Sequence, residues 1–148
     1  MTVKAILSDK GTAVITIAPT VSLRDAITIL DERHIGAVVV TDADQRVIGI
    51  LTERDVLRTI AHKARNPGTC QICDEPVGEV MTREVETCNE ADTVYQIMQR
   101  MTEKRFRHLP VVEGGRLVGI ISIGDAVKHR LGQMEFESEE LHQYVLVA

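Results

Sequence analysis

The chain has 148 residues, a formal net charge of −5 and only 3% aromatic residues, which predicts one compact unit of ordinary size with an aliphatic core. The acidic balance argues against a general nucleic-acid binder, which needs a basic surface, and no apolar run approaches the ~18 residues of a membrane helix. The N-terminus lacks the apolar stretch of a signal peptide, and three cysteines do not suggest a disulfide framework, so we expect a cytoplasmic location.

The first half of the chain predicts the order β-α-β-β-α. An extended piece at residues 14–17 precedes a helix that Ser22 can cap, and the apolar residues of that helix recur at helical spacing. Two strands rich in β-branched residues follow, joined by a turn with Asp42 and Asp44. A second helix opens at Thr52, a good N-cap, with Asp55 at its third position.

The second half predicts the same order of elements. Residues 85–88 form the extended piece, Thr93 caps the first helix, and a hairpin with Gly114 and Gly115 leads to a helix that opens at Ser122. RVIGILTERDVLR (46–58) and RLVGIISIGDAVK (116–128) repeat one pattern 70 residues apart, so the chain is a duplication. We expect an α+β fold of two β-α-β-β-α units packed as a pseudo-two-fold pair, with unit 1 at 1–65, a linker at 66–78, unit 2 at 79–133 and a helical tail at 134–148.

These residues resemble paired CBS domains. GILTERD (49–55) and GIISIGD (119–125) each close one unit with the Gly-aliphatic-x-Thr/Ser-x-x-Asp signature of that family. The resemblance covers nearly all of the chain. It implies an adenine-nucleotide-binding regulatory module, not an enzyme, that works by ligand-dependent conformational change, pairs into a flat four-unit homodimeric disc and acts on an effector protein.

The resemblance also implies which residues hold the ligand. The aspartates would accept hydrogen bonds from the ribose hydroxyls, and the Thr or Ser would face the phosphate at a positively polarised helix N-terminus. From the residues alone, simple helix capping explains these side chains equally well. The adenine would lie between the first short strand and the start of the hairpin. The candidate ligand-binding residues are Thr16, Ile17, His34, Ile35, Gly36, Ala37, Thr52, Arg54, Asp55, Thr87, Cys88, Arg107, His108, Leu109, Pro110, Ser122 and Asp125.

A basic cluster at Lys104, Arg105, Arg107 and His108 stands out in the acidic chain. Arginine presents a planar fork suited to phosphate, so we expect the second copy, with Asp125, to bind an anionic nucleotide more tightly than the first. AMP or NAD(H) is favoured, and ADP, ATP and S-adenosylmethionine are further candidates. The first copy has Val39 where the second has Pro110, which leaves its adenine slot less well matched.

Two alternative functions remain open from the sequence. Cys70 and Cys73 form a CxxC motif, which can bind zinc or form a redox pair, and Cys88 and His62 would complete a metal site only if the fold brought them close. A structural adaptor with vestigial pockets is the other alternative. We find no catalytic motif and assign no metal ligand. The tail, residues 135–148, is predicted to be an amphipathic helix that packs on its own chain or on a partner, or a solvated helix end.

Overall fold

The structure is a computed structural model that describes residues 1–65 and 74–147. These residues form six helices and five strands. In chain order they are α1 (Val3–Lys10), β1 (Thr16–Ile17), α2 (Leu23–Glu32), β2 (Ala37–Thr41), β3 (Val47–Thr52), α3 (Glu53–Arg65), α4 (Val77–Val80), α5 (Val94–Lys104), β4 (His108–Glu113), β5 (Arg116–Ser122) and α6 (Ile123–Val147). The α+β duplication is confirmed. None of these helices is long and apolar enough to span a membrane.

Each copy contributes its own small sheet. In the first copy, β1 pairs with β2 in parallel and β2 pairs with β3 antiparallel. In the second copy, β4 and β5 form the equivalent antiparallel hairpin, with His108 opposite Ser122. The predicted hairpins are confirmed to within a residue or two at their ends.

The extended piece predicted at residues 85–88 does not form a strand. Only Cys88 forms a parallel bridge, with Val111, through hydrogen bonds to its neighbours Pro110 and Val112. In the first copy the backbone N–H of Val39 donates to the carbonyl of Ile15 and extends the ladder. Pro110 stands at the equivalent place and has no N–H, so the ladder stops there.

The predicted helix caps are present in both copies. The Ser22 hydroxyl accepts a hydrogen bond from the Asp25 N–H, and Thr93 forms a reciprocal capping box with Gln96. The apolar faces of these helices are buried, so α2 and α5 cover one side of their sheets.

The two hydrophobic cores cross the boundary between the copies. Val3, Ile6 and Leu7 of α1 pack in the core of the second copy, although they precede the first copy in the chain. Val77 and Met81, which precede the second copy, pack in the core of the first. Backbone hydrogen bonds join residues 1–4 to residues 90–94, and residues 75–77 to residues 21–23 in the same way. Helices α1 and α4 were not predicted from the sequence. The predicted boundaries of the two units therefore do not coincide with the boundaries of the two hydrophobic cores.

The last helix is one continuous element. α6 runs from Ile123 to Val147 across the predicted boundary between unit 2 and the tail. Its first turns pack on the second copy through Ala126, whereas residues 134–147 are all exposed. Residues 134–147 of the tail are therefore helical, as predicted. They do not pack on the other described residues of the chain.

Candidate functional site

The turn between β3 and α3 holds the Asp55 carboxylate almost completely buried, with 6% exposure. Oδ2 of Asp55 accepts hydrogen bonds from the backbone N–H of Thr52 at 2.9 Å and from its hydroxyl at 3.1 Å. Oδ1 accepts a third hydrogen bond, at 2.9 Å, from the hydroxyl of Thr82, which belongs to the segment after α4. A carboxylate offers about four lone-pair sites, so Asp55 keeps some capacity to accept from a ligand.

The equivalent turn between β5 and α6 places Asp125 against a different partner. Oδ2 of Asp125 accepts from the Ser122 N–H at 2.9 Å and from the Lys10 ammonium at 2.6 Å. The same ammonium donates to the Ile120 carbonyl at 2.9 Å. Burial by itself would raise the pKa of Asp125, but the hydrogen bonds from Lys10 and Ser122 outweigh it, and the pKa lies below its usual value.

Glycine is required in strands β3 and β5, just before the two turns, by close packing from outside the copy. A Cβ on Gly49 would overlap the side chain of Met81, and a Cβ on Gly119 would lie 2.6 Å from Leu7 Cδ2. The segments that carry Met81 and Leu7 continue directly to Thr82 and Lys10. The two glycines thus let these segments approach, and the close approach brings Thr82 and Lys10 to the two aspartates.

A cleft of about 630 Å³ opens beside Asp55. That volume is within the range of small-molecule sites, about 300–1,000 Å³. The cleft is lined by both copies: Gly36, Thr52, Arg54, Asp55 and Arg58 come from the first, and Lys104 to His108 come from the second. Residues 82–86 form the remaining wall, with Thr82, Glu84, Val85 and Glu86.

Cations exceed anions on the lining of this cleft once the ion pairs are counted. Lys104 is paired with Glu86, whose pKa is lowered by the hydrogen bonds from Lys104 and Arg100. Arg54 donates to the carbonyl of Arg105 at 3.1 Å and so ties the two copies together across the cleft. Arg58 lies 4.0 Å from Asp55, and the lining also carries the guanidinium groups of the exposed residues Arg105 and Arg107. Such an array suits a phosphate.

His108 lies between the two turns. Its strand position is opposite Ser122, and it lines the cleft that contains Asp55. A Cβ on Gly36 would lie 3.1 Å from the His108 ring, so the starts of the two hairpins meet here. Burial lowers the pKa of His108, although Glu53 and Asp125 act in the opposite direction.

The structure brings together only some of the candidate ligand-binding residues. Gly36, Thr52, Arg54, Asp55, Arg107 and His108 line the cleft. His34 and Ile35 line a shallower pocket beside α2 and α3, and Thr16 lies exposed on β1. Ser122 and Asp125 form the other turn, and Thr87 is half-buried and accepts a hydrogen bond from Arg100 through its carbonyl. Ile17, Ala37, Cys88, Leu109 and Pro110 are buried.

The basic cluster falls beside a different aspartate from the one expected. From the sequence, residues 104–108 were expected to lie beside Asp125 of the same copy. They line the cleft beside Asp55 instead. The packing of the two copies brings the start of the second hairpin to the cleft at the N-terminus of α3 in the first copy. Arg54 of the first copy donates a hydrogen bond to the carbonyl of Arg105 in the second. Thr82 and Lys10 carried no sequence motif and were missed.

The cysteines of the CxxC motif, Cys70 and Cys73, lie outside the described residues. Cys88 is buried in the core of the second copy, and burial raises its pKa to about 12. It is therefore a poor thiolate ligand at neutral pH. Within residues 1–65 and 74–147, no group of three or more His, Cys, Asp or Glu side chains is placed to hold a metal ion.

The family model for the CBS domain matches the chain twice, over residues 3–62 and 77–132. The chain belongs to the CBS domain family. Each match includes one Gly-x-x-Thr/Ser-x-x-Asp turn together with the helix, α1 or α4, that packs on the other copy.

Solved CBS proteins share the arrangement. A CBS-domain-containing protein from Agrobacterium tumefaciens is 46% identical with a TM-score of 0.80, over 87% of this chain and 92% of that one. The CBS domain pair of protein MJ0100, solved in complex with 5′-methylthioadenosine and S-adenosyl-L-methionine, is 26% identical with a TM-score of 0.77, over 90% and 98% of the two chains.

Several curated relatives are longer than this chain. An uncharacterized 17.7 kDa protein of Acidianus ambivalens is 33% identical over 118 residues, which is 79% of this chain and 67% of that protein. The chain spans 58% and 33% of the next two curated relatives that it matches. CBS proteins of this kind are regulatory modules, and some bind adenosine-containing ligands.

Proposed function

We propose that this CBS pair is a regulatory module that binds an adenine nucleotide in the cleft beside Asp55. The observation that carries the proposal is the composition of the cleft lining. One wall is a helix N-terminus with a buried carboxylate, and the opposite wall supplies the guanidinium groups of Arg105 and Arg107. A ribose with its hydroxyls and a phosphate with its charge need these two kinds of partner at opposite ends of one site.

Asp55 is assigned to the ribose. Its Oδ1 already accepts from a hydroxyl, that of Thr82, in the geometry that a sugar hydroxyl would use. A ribose hydroxyl can use the remaining lone pair of the carboxylate or replace the Thr82 hydroxyl. The N-terminus of α3, with Thr52 at its cap, faces the phosphate together with Arg54, Arg58 and Arg107.

The charge of the lining favours an anionic ligand. AMP or NAD(H) therefore ranks first, and ADP or ATP follows. S-adenosylmethionine carries a sulfonium and an ammonium and has one carboxylate but no phosphate, so its charge complements the arginines less well. The adenosine compounds bound to the MJ0100 pair support the adenosine part of the assignment.

Ligand binding would change the arrangement of the two copies. The cleft takes its walls from both copies, so a ligand held by both walls binds best where their separation fits it. The population of that arrangement then rises with ligand concentration. An effector protein, or a second copy of this chain, would read the change, and this coupling makes the module a sensor rather than an enzyme.

Titration calorimetry at fixed salt tests the proposal. AMP and NAD should bind the wild type with an affinity that Asp55→Asn weakens about ten- to hundredfold, since a hydrogen bond to a charged group contributes about 1.5–3 kcal/mol. Asp125→Asn is the matched control at the equivalent turn and should weaken binding less than about threefold, because it leaves the cationic wall and Asp55 intact.

Folding of both variants is checked by thermal unfolding, since Asn retains an acceptor for the cap. Equal affinities of wild type and Asp55→Asn for AMP and NAD would remove the ribose role of Asp55. Equal losses of affinity in the two variants would show that the nucleotide binds outside the cleft.

A further inference from the structure

The C-terminal half of α6 extends away from the rest of the described chain. Its first turns pack through Ala126 and the half-buried His129, whose Nδ1 lies 3.9 Å from Asp9. Beyond Gln133 every described residue of the helix is exposed. An isolated helix of this length in water is marginal, and most helices are stabilised by packing of one face. This helix has no such packing within the described residues.

An apolar stripe runs along the exposed helix with alternating spacings of four and three residues. That is the 3.5-residue period of a coiled-coil seam. The apolar members are between 39% and 71% exposed. At about 100° per residue, the stripe lies roughly 130° around the helix from Ala126 and His129. The face of α6 that packs on the second copy therefore does not include the stripe. The seam residues are Val127, Leu131, Met134, Ser138, Leu141 and Val145.

The charges beside the seam favour two copies of this helix in parallel. In a parallel, in-register pair, the residue just before seam position 131 or 138 faces the residue five places later on the other helix. Arg130 then faces Glu135, and Glu137 faces His142, in both directions across the pair. In an antiparallel pair centred on the stripe, Glu135 would face Glu135 and Glu137 would face Glu137. Like charges at such positions are destabilising.

We propose that residues 127–145 of α6 form a parallel two-stranded coiled coil with a second copy of this chain. The seam is short, about 28 Å, and Ser138 interrupts its apolar run, so the pair should exchange with monomer at micromolar concentration. This interface uses none of the residues that line the cleft. It therefore goes beyond the proposed nucleotide site and can be tested without it.

Sedimentation equilibrium of the full chain, over a range of micromolar concentrations, measures the association. The wild type should populate dimer of twice 16.4 kDa. Leu141→Asp places a charge in the seam and should weaken dimerisation at least about tenfold, as expected for a buried charge without a partner. Phe136→Asp is the matched control, because Phe136 is 61% exposed on the same helix but lies off the stripe. It should leave the dimer unchanged.

Two further variants test the direction of the pair. Glu135→Arg should weaken the dimer by placing Arg against Arg130, and the double variant with Arg130→Glu should restore it. Ser138→Cys, in a background with Cys70→Ser and Cys73→Ser, should form an intermolecular disulfide on mild oxidation, because equivalent seam residues meet only in the parallel pair.

A chain that stays monomeric at high micromolar concentration overturns the proposal. So does a dimer that Leu141→Asp leaves unchanged, since another surface then forms it. Retained AMP binding by Leu141→Asp separates this outcome from a failure of the nucleotide site.

Discussion

Asp55 and Asp125 occupy equivalent positions in two copies of one turn, yet they receive different partners from outside the copy. Thr82 covers the first with a hydroxyl, and its backbone N–H donates to Ile50. Lys10 covers the second, and its single ammonium supplies both the contact to Asp125 and the contact to Ile120. At the first site the cation is the exposed guanidinium of Arg58, 4.0 Å from Asp55 Oδ1, whereas at the second site the Lys10 ammonium contacts Asp125 Oδ2 at 2.6 Å.

The difference shows how duplicated sites diverge. The residues inside the repeated signature are retained in both copies, because each forms a cap that the fold needs. The residue that sets the charge at the carboxylate comes from the segment before the other copy. That segment can change without loss of the cap, so the charge at each carboxylate can change independently of the fold.

The largest expected effect concerns the two glycines. Gly49→Ala should destabilise the fold by about 1–3 kcal/mol, because its Cβ would overlap the middle of the Met81 side chain. Gly119→Ala should cost less, because the new Cβ meets the ends of the Leu7 side chain, which can rotate. Urea denaturation of the two variants measures both. Equal losses of stability would show that Met81 and Leu7 pack equally tightly against the two glycines.

The next effect concerns Lys10. Lys10→Gln removes the ammonium while the burial of Asp125 remains, so the pKa of Asp125 should rise from its lowered value. NMR titration of the carboxyl carbon measures this shift. In the wild type, the stability due to the lowered pKa is present above pH 3.8 and is lost as pH falls through the folded-state pKa.

Lys4→Gln on the same helix is the control, since Lys4 is exposed. It should leave the pKa of Asp125 in place. An unchanged pKa in Lys10→Gln would show that the backbone N–H of Ser122, and not Lys10, sets it.

The smallest expected effect concerns His108. Its pKa is below 6.5 because of burial, and a bound phosphate would favour the imidazolium, so binding of AMP should take up a proton. The affinity for AMP should then rise as pH falls from the pKa of His108 in the complex toward its lower pKa in the free protein, by at most about tenfold per pH unit for one proton. Calorimetry at several pH values measures the slope.

His108→Gln should remove this rise, and adenosine should show none in the wild type, because it has no phosphate. A slope that persists in His108→Gln would assign the proton to the phosphate or to another residue.

The sequence predicted what depends on local pattern. The repeat, the caps at Ser22 and Thr93 and the two hairpins follow from periodicity and from residue chemistry within one copy. It missed contacts made between copies. Nothing in the spacing of Lys10 or Thr82 indicates that each crosses to an aspartate far along the chain, and the basic cluster was grouped with Asp125 for the same reason.

The exchange of α1 and α4 between the copies also sets the order of events during synthesis. α1 leaves the ribosome first, but its partners in the second core, from Cys88 to Ala126, are made about a hundred residues later. The first copy likewise lacks Val77 and Met81 until the chain has passed them. The apolar face of α1 therefore lacks its partners until the second copy has been made, a period in which such surfaces are prone to aggregate.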